Sequence, residues 1–313
     1  MWGKTVGEED CVTPPGFNDT LTTPTLLDMS SSVSILGCGW LGHPLGVHLV
    51  NQGETVRGST TTPDKLDALR RDGIEPTLLT LDPELSGDDP APFFESSVLV
   101  LNVPPPRGAD DVRAVHRQQI EAVRDAAVDG GVGWVLFASS TGVYPNVERT
   151  VTEADCPPGR PEALPGPRRA TGEALLDVEG LLVETPEFDT TIVRLGGLYG
   201  SDRNPGRFLA GRTNVGRPQA PVNLIHQDDA VGVFSTLLAQ DVRGEVFNAC
   251  ANEHPSREAF YTRAAEALGL EPPTFDQADN TTGKCVSNEK FKTRCEYQYR
   301  HPDPLADVTG AAE

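Results

Sequence analysis

Residues 32–42 read Ser-Val-Ser-Ile-Leu-Gly-Cys-Gly-Trp-Leu-Gly. Val33 to Leu36 is an apolar, strand-sized run, and the residues from Leu41 to Asn51 carry a helical pattern. A lone GxGxxG string is weak, but here it leaves a strand and opens a helix, which is the context that gives it meaning. Gly37 permits a tight turn, Gly39 lets the backbone approach a pyrophosphate, and Gly42 lets helix and strand pack closely. The helix start adds free N–H groups and a positive dipole end. Gly37, Gly39, Trp40, Leu41 and Gly42 are therefore the first candidate cofactor contacts. The plainer alternative is a glycine turn with no ligand.

Working outward, strands and helices alternate. Thr55 to Gly58 reads as a strand, Pro63 to Arg71 as a helix and Thr77 to Leu81 as a third strand. Val98 to Val103 is a strongly apolar strand, followed by a long helix from Asp111 to Ala127. Trp134 to Ala138 and Thr190 to Arg194 are further strands, with a helix over Arg168 to Val178 between them. Repeated strand–helix units with right-handed crossovers predict an α/β fold, a Rossmann-type doubly wound parallel sheet covered on both faces. After Gly200 the alternation loosens. Pro205 to Gly211, Asp228 to Leu238 and Ser256 to Leu268 read as helices, and Val222 to Ile225 and Val246 to Ala249 as short strands. The expected organisation is a disordered extension over 1–30 and a dinucleotide-binding domain over 31–200. A smaller, mostly helical substrate-side domain follows over 201–302, with scope for one strand to return to the main sheet. Residues 303–313 are expected to form a frayed tail.

The end of the second strand bears on which dinucleotide is bound. Ser59 stands about 20 residues past the glycines, where an NAD enzyme places Asp or Glu on the ribose hydroxyls. No acid stands there; Arg57, Ser59, Thr60 and Lys65 do. Hydroxyls and positive charge suit a 2′-phosphate, so NADP is expected first and NAD second. Capping of the helix at Pro63 explains the hydroxyls equally well. Asn102, Val103 and Pro104 follow the fourth strand and should border the cofactor, although prolines also simply end strands.

Net charge is −20, from 46 acidic and 26 basic residues. Such a chain should repel nucleic acid and anionic membrane. Its longest apolar runs are strand-sized, and no apolar secretory segment opens it. A cytoplasmic location follows as the expectation. Acid excess with only five lysines resembles adaptation to a salty cytoplasm, which predicts easier unfolding at low ionic strength than at molar salt. The six cysteines form no CxxC pair and the histidines lack ligand spacing, so reduced thiols and no metal site are expected. Met29, just before the first strand, is read as the natural start.

At Ala138-Ser139-Ser140-Thr141-Gly142-Val143-Tyr144 the chain resembles the extended and atypical short-chain dehydrogenase/reductases, the NAD-dependent epimerase/dehydratase group. The resemblance continues through Ile192 to Gly200 and Asn223 to Asp229, ends near Val246-Phe247-Asn248-Ala249, and covers about residues 32 to 300. It implies that Ser140 helps polarise a substrate carbonyl, a role suited to a hydroxyl at a strand's carboxyl end. The plainer alternative for Ser139 and Ser140 is satisfaction of strand-end backbone groups, and it describes Ser139, which is grouped with the cofactor contacts, better than Ser140. The family's acid/base is a Tyr-x-x-x-Lys pair. Aligning Glu173 with the acid that usually follows that motif puts Pro165 at the tyrosine and Arg169 at the lysine. Proline carries no proton and arginine stays charged, so this chain resembles members that keep the fold and lose the pair. Tyr144 is first a packing residue and second a proton carrier. His226 ends a strand before Asp228 and Asp229, where an acid is most simply a helix cap.

Arg203, Arg207, Arg212 and Arg217 lie in a stretch, Arg203 to Gln227, that holds no acid. With His226 they are candidate contacts for an anionic small-molecule substrate such as a nucleotide diphosphate sugar, or else a solvated face. Two functions remain open at this point. One is an NADP-dependent oxidoreductase or epimerase/dehydratase-like enzyme acting on a carbonyl or alcohol. The other is an NADP-binding redox sensor or regulatory protein without standard turnover. Either is expected as a monomer or homodimer.

Overall fold

The strand residues dictate the layers. Along β1 (Ser32–Leu36), Val33 and Ile35 enter one apolar cluster and Leu36 enters another. Side chains alternate across a strand, so a strand apolar on both sides must be covered on both sides. The protein, a computed structural model, is described for residues 32–166, 168–200 and 202–310. The expectations for residues 1–30, including a start at Met29, lie outside the described residues.

In chain order, β1 leads into α1 (Gly42–Asn51), β2 (Thr55–Thr60), α2 (Leu66–Arg71), β3 (Glu75–Leu81), β4 (Leu85–Gly87) and α3 (Ala91–Phe94). Next come β5 (Val98–Leu101), α4 (Val112–Asp129), β6 (Trp134–Ser140), β7 (Thr150–Val151), α5 (Ala170–Val183) and β8 (Asp189–Leu195). The rest comprises β9 (Gly197–Tyr199), α6 (Gly206–Leu209), β10 (Leu224–His226), α7 (Gln227–Ala239), β11 (Val246–Ala249), α8 (Arg257–Ala267), β12 (Cys285–Val286), α9 (Glu289–Cys295) and α10 (Pro304–Gly310).

The main sheet runs β11-β8-β6-β5-β1-β2-β3-β4, parallel throughout except for the β3–β4 edge hairpin. The chain moves outward from β1 to β2 and β3, then crosses back to β5, β6 and β8. That is the doubly wound order, with its switch point between β1 and β5. One face carries α1 and α7, whose Leu45, Leu49, Val233 and Phe234 pack on Val98, Val100 and Leu136. The other carries α4 and α5, whose Ile120, Val123, Leu176 and Leu182 pack on Leu99, Leu101 and Phe137.

Beyond residue 200 the chain is more closely tied to the sheet than its pattern suggested. β11 lies beside β8 in parallel register, and Phe291, Cys295 and Tyr299 belong to the main core. The described residues fall in one compact unit. A third, smaller cluster joins Tyr199, Val222, Leu224, Phe260, Ala264 and Val308. The expected frayed tail instead contains α10, because Leu305 and Val308 give it an apolar side that packs there. The helix expected over Pro205 to Gly211 is a single turn. Gly206 opens it where a Cβ would stand 2.1 Å from the Ala264 carbonyl. Among the described residues, no helix is long and apolar enough to cross a membrane.

Candidate functional site

The glycine turn is locked from three sides. Gly37 has φ +104°, open to glycine, and a Cβ there would lie 2.5 Å from the Asn102 carbonyl oxygen. Gly37 N donates to Ser59 Oγ at 2.9 Å, and Asn102 Nδ2 donates to Gly37 O at 3.0 Å. Cys38 N donates to Ser59 O at 2.9 Å. A Cβ on Gly42 would meet Gly37 O at 2.3 Å, whereas one on Gly39 would meet nothing within 4 Å. The roles assigned to Gly37 and Gly42 are thus visible as contacts, and Gly39 leaves an open cradle in front of the helix. No acid lies in the first turn of α1.

A groove of about 580 Å³ opens over this turn, at the carboxyl ends of β1, β2 and β5. Gly37, Gly39, Trp40, Leu41, Ser59, Thr60, Lys65, Asn102, Val103 and Pro104 all line it, as expected from sequence. Thr61, Thr62, Arg107, Leu198 and Arg203 line it as well. Among the described residues its wall contains three cations, Lys65, Arg107 and Arg203, and no carboxylate. The Arg203 guanidinium lies 5.8 Å from the centroid of the Trp40 ring. Burial pushes the Cys38 thiol up to about 12, so this residue is a neutral wall. Gly42 sits beneath the groove as packing.

Several sequence-based candidates take other positions. Ser59 lines the groove, but the residue is only 3% exposed and its hydroxyl already accepts from Gly37 N, so it shapes the turn. Arg57 is turned away: its Nη1 donates to Glu95 O at 2.7 Å and its Nε is 3.4 Å from Glu75. Arg57 shares a face with Ser59 but lies earlier in β2, opposite Glu75 in the β2–β3 register and short of the carboxyl end that meets the groove. Ser139 is buried and donates to Glu179 Oε1 at 2.5 Å, so its hydroxyl serves a buried side-chain carboxylate rather than strand-end backbone groups, and it does not line the groove.

Tyr144 is a core residue rather than a proton carrier. It is 1% exposed; its hydroxyl donates to Asn248 Oδ1 at 2.8 Å and accepts from Arg194 Nη1 at 2.9 Å. Burial pushes the phenol up to about 12 despite Arg194 beside it. Ser140, half-buried at the end of β6, accepts from Gly142 N at 3.0 Å, which leaves its O–H free to donate outward. Arg169 is exposed at the start of α5.

The basic stretch divides. Arg203 joins the groove, Arg207 and Arg212 are exposed, and Arg217 reaches Asn146 Oδ1 at 2.7 Å and Thr282 O at 2.7 Å. Lys284, absent from the sequence-based candidates, donates to Tyr144 O at 2.6 Å. Burial first, and then Arg168, Arg217 and Arg169, push its ammonium down to about 8. Nothing in the local sequence marks Lys284, because the fold brings it across 140 residues.

His226 faces His301, with ring centroids 3.7 Å apart and planes 28° apart. Asp228 Oδ2 lies 3.7 Å from His226 Nδ1 and 3.6 Å from His301 Nε2. The three residues are close enough to suggest metal ligation. Stacked rings, however, run their in-plane lone pairs side by side, while two ligands of one ion must converge on it. His226 accepts instead from Asp228 N, and burial followed by His301 lowers its pKa. Asp229 accepts from Tyr297 Oη, Arg300 N and His301 N, fastening the C-terminal segment to α7. The expected His226 substrate contact becomes part of this tie.

The doubly wound order and the glycine turn at the carboxyl ends of β1 and β5 define a Rossmann-type fold. No family model matches the chain. It belongs to the same family as Protein YeeZ of Escherichia coli (strain K12), with which it is 36% identical over 277 residues, 87% of this chain and 97% of that protein. A functionally unknown conserved protein from Silicibacter pomeroyi is 25% identical, with TM-score 0.68, 90% of this chain and 98% of that chain covered. MoeE5 in complex with UDP-glucose and NAD shares the fold at 18% identity, with TM-score 0.68, 90% of this chain and 98% of that chain covered.

Proposed function

We propose that this protein is an NADP(H)-dependent oxidoreductase acting on the carbonyl or alcohol of an anionic small molecule. The observation that carries the reading is the composition of the groove. In a chain with 46 acidic residues, the described residues of its wall include none, and they present Lys65, Arg107 and Arg203. A carboxylate would repel a 2′-phosphate, and these cations with Thr61 and Thr62 offer it donors. The open cradle at Gly39 and the uncapped start of α1 fit a pyrophosphate.

A bound nicotinamide supplies hydride exchange. The chain's own part is to hold and orient. The glycine turn and Asn102 fix the dinucleotide's middle, and the Ser140 hydroxyl donates to the substrate oxygen as negative charge develops there. If Glu173 aligns with the acid that follows the Tyr-x-x-x-Lys motif of short-chain dehydrogenases, Pro165 and Arg169 take the positions of that acid/base pair, and the proton passes through another group or through water. MoeE5 was crystallised with NAD and UDP-glucose, which makes NADH the cofactor to test against and sugar nucleotides a reasonable substrate panel.

A fluorescence titration with NADPH and NADH, followed by a substrate screen with the tighter one, tests the reading. Tighter NADPH binding and substrate-dependent oxidation support it. Tighter NADH binding overturns the choice of NADP, and binding of neither by folded protein overturns the whole. The lost Tyr–Lys pair favours a second reading, a regulatory dinucleotide binder. A partner or oligomeric state that changes between NADPH and NADP⁺, with no turnover, would support that instead.

A further inference from the structure

Three cations grip the segment that follows Ser140. Arg168 Nε donates to Val143 O at 2.6 Å, Lys284 Nζ to Tyr144 O at 2.6 Å, and Arg217 Nη2 to Asn146 Oδ1 at 2.7 Å. A fourth, Arg169, stands exposed at the start of α5. The first turn of α5 lies against the same segment, since a Cβ on Gly172 would come 2.3 Å from Gly142 O. Lys284 experiences Arg168, Arg217 and Arg169 as like charges.

Among the described residues, none of these four side chains has a carboxylate within 4 Å. Elsewhere in this acidic chain, cations are commonly paired: Arg113 with Asp177, Arg149 with Asp155, Arg194 with Glu179, and Arg294 and Lys290 with Glu245. Holding a loop by its carbonyls needs donors but not four mutually repelling charges. Asp279, whose Oδ2 accepts from Arg217 N at 2.8 Å, offsets part of the Arg217 charge, and the repulsion left among the four cations favours an anion there.

The cluster is also held in place. Asn223 Nδ2 donates to Lys284 O at 3.0 Å, and Val286 N donates to Asn223 Oδ1 at 2.7 Å. Asn223 thereby ties the Lys284 strand to the segment entering β10. The position, past the carboxyl end of β6, is on the ligand side of a doubly wound sheet.

We propose that Lys284, Arg169 and Arg217, backed by Arg168, receive a phosphate-type oxyanion of the substrate beside Ser140. The word substrate rests on the oxidoreductase reading above; the anion site itself rests on the cluster. It replaces the sequence-based patch, of which only Arg217 takes part.

Pyrophosphate is the probe, titrated calorimetrically into protein saturated with NADPH so that the glycine turn is already filled. The proposal expects binding that weakens about tenfold in each of Arg169→Gln and Lys284→Gln. Arg169 makes no side-chain hydrogen bond or ion pair among the described residues, so R169Q should unfold at the wild-type temperature and keep its NADPH affinity. Undiminished pyrophosphate affinity in R169Q and K284Q, or no binding to the loaded wild type, would overturn the site. If NADPH itself fails to bind, the oxidoreductase reading falls. The same variants titrated without dinucleotide then still decide whether the cluster binds the anion.

Discussion

Arg194 Nη2 lies 2.6 Å from Glu179 Oε2, and neither side chain is exposed. Burial works against the Arg194 charge, but Glu179 outweighs it and holds the guanidinium's pKa above its ordinary value. The pair is fully satisfied: Arg194 also donates to Tyr144 Oη and Cys156 O, and Ser139 donates to Glu179. Removing one partner strands a buried charge, which typically costs about 3–5 kcal/mol. Glu179→Gln should therefore lower the stability measured by urea unfolding by about that much. A loss below about 1 kcal/mol would mean that the pair does not hold α5 against the sheet.

The same network separates Ser140 from Tyr144. Ser140→Ala removes a donor at the strand end and should reduce kcat by about a hundredfold or more in an established turnover. Tyr144→Phe removes hydrogen bonds inside the core. It should lower the unfolding temperature while kcat stays within a few fold of wild type. An unchanged kcat in S140A would remove Ser140 from the chemistry, and a collapse in folded Y144F would restore Tyr144 to it.

Much of this arrangement was readable from sequence, for physical reasons. The alternation of Val33 to Leu36 and the glycines after it fix a strand, a turn and a helix within eleven residues, and local chemistry suffices to decode them. Val246 to Ala249 was legible as a strand, and in the structure it pairs with β8 at the edge of the main sheet. Arg57 misled because periodicity near a strand's end does not say which neighbour will take its guanidinium. α10 was hidden because its short apolar side has meaning only against Tyr199 and α8. Lys284 and the His226–His301 stack were unreadable because they join residues 140 and 75 positions apart in sequence. Arg107 was lost among prolines, whose reading ended with the strand.

Gly39 and Gly42 should respond differently to the same methyl group. Gly39→Ala meets nothing within 4 Å, so the protein should unfold at the wild-type temperature. The methyl would fill the cradle and weaken NADPH binding at least tenfold. Gly42→Ala places Cβ 2.3 Å from Gly37 O and 3.1 Å from Ile35 Cγ2, so the turn must open. Overpacking of this kind costs about 1–3 kcal/mol, and G42A should lose stability as well as affinity. Thermal unfolding beside a fluorescence titration separates the two. Equal NADPH affinity in G39A and wild type would show that no pyrophosphate lies there.

The groove's cations should set the cofactor preference. Lys65→Glu converts a candidate 2′-phosphate donor into a repelling charge and should shift the NADPH/NADH affinity ratio toward NADH by at least about tenfold. Arg57→Ala, which alters a residue outside the groove, should leave that ratio unchanged. A ratio insensitive to K65E would assign the discrimination to Arg107 or Arg203, which the corresponding alanine variants then test.

Lys284 gives the anion site a pH dependence with a definite sign. Its ammonium is pushed down to about 8 by burial and by three arginines, against a usual value of 10.5. It is therefore charged below about pH 8 in the ligand-free protein and neutral above. The unfolded chain keeps the proton up to 10.5, so between about 8 and 10.5 it binds more protons than the folded one. Through this group alone, stability rises with pH across that window. Anion affinity runs the other way. Phosphate monoesters lose their second proton near pH 6, so they are already dianionic there and only the protein's charge changes. The dissociation constant for a phosphate monoester such as phenyl phosphate, chosen in place of pyrophosphate because it does not titrate above about pH 7, should rise on NADPH-loaded protein as pH passes about 8. Lys284→Arg, which keeps its charge, should flatten the profile between pH 7 and 10 while binding is retained. A wild-type profile that is flat through pH 8, or one that K284R leaves unchanged, would show that Lys284 does not face the anion.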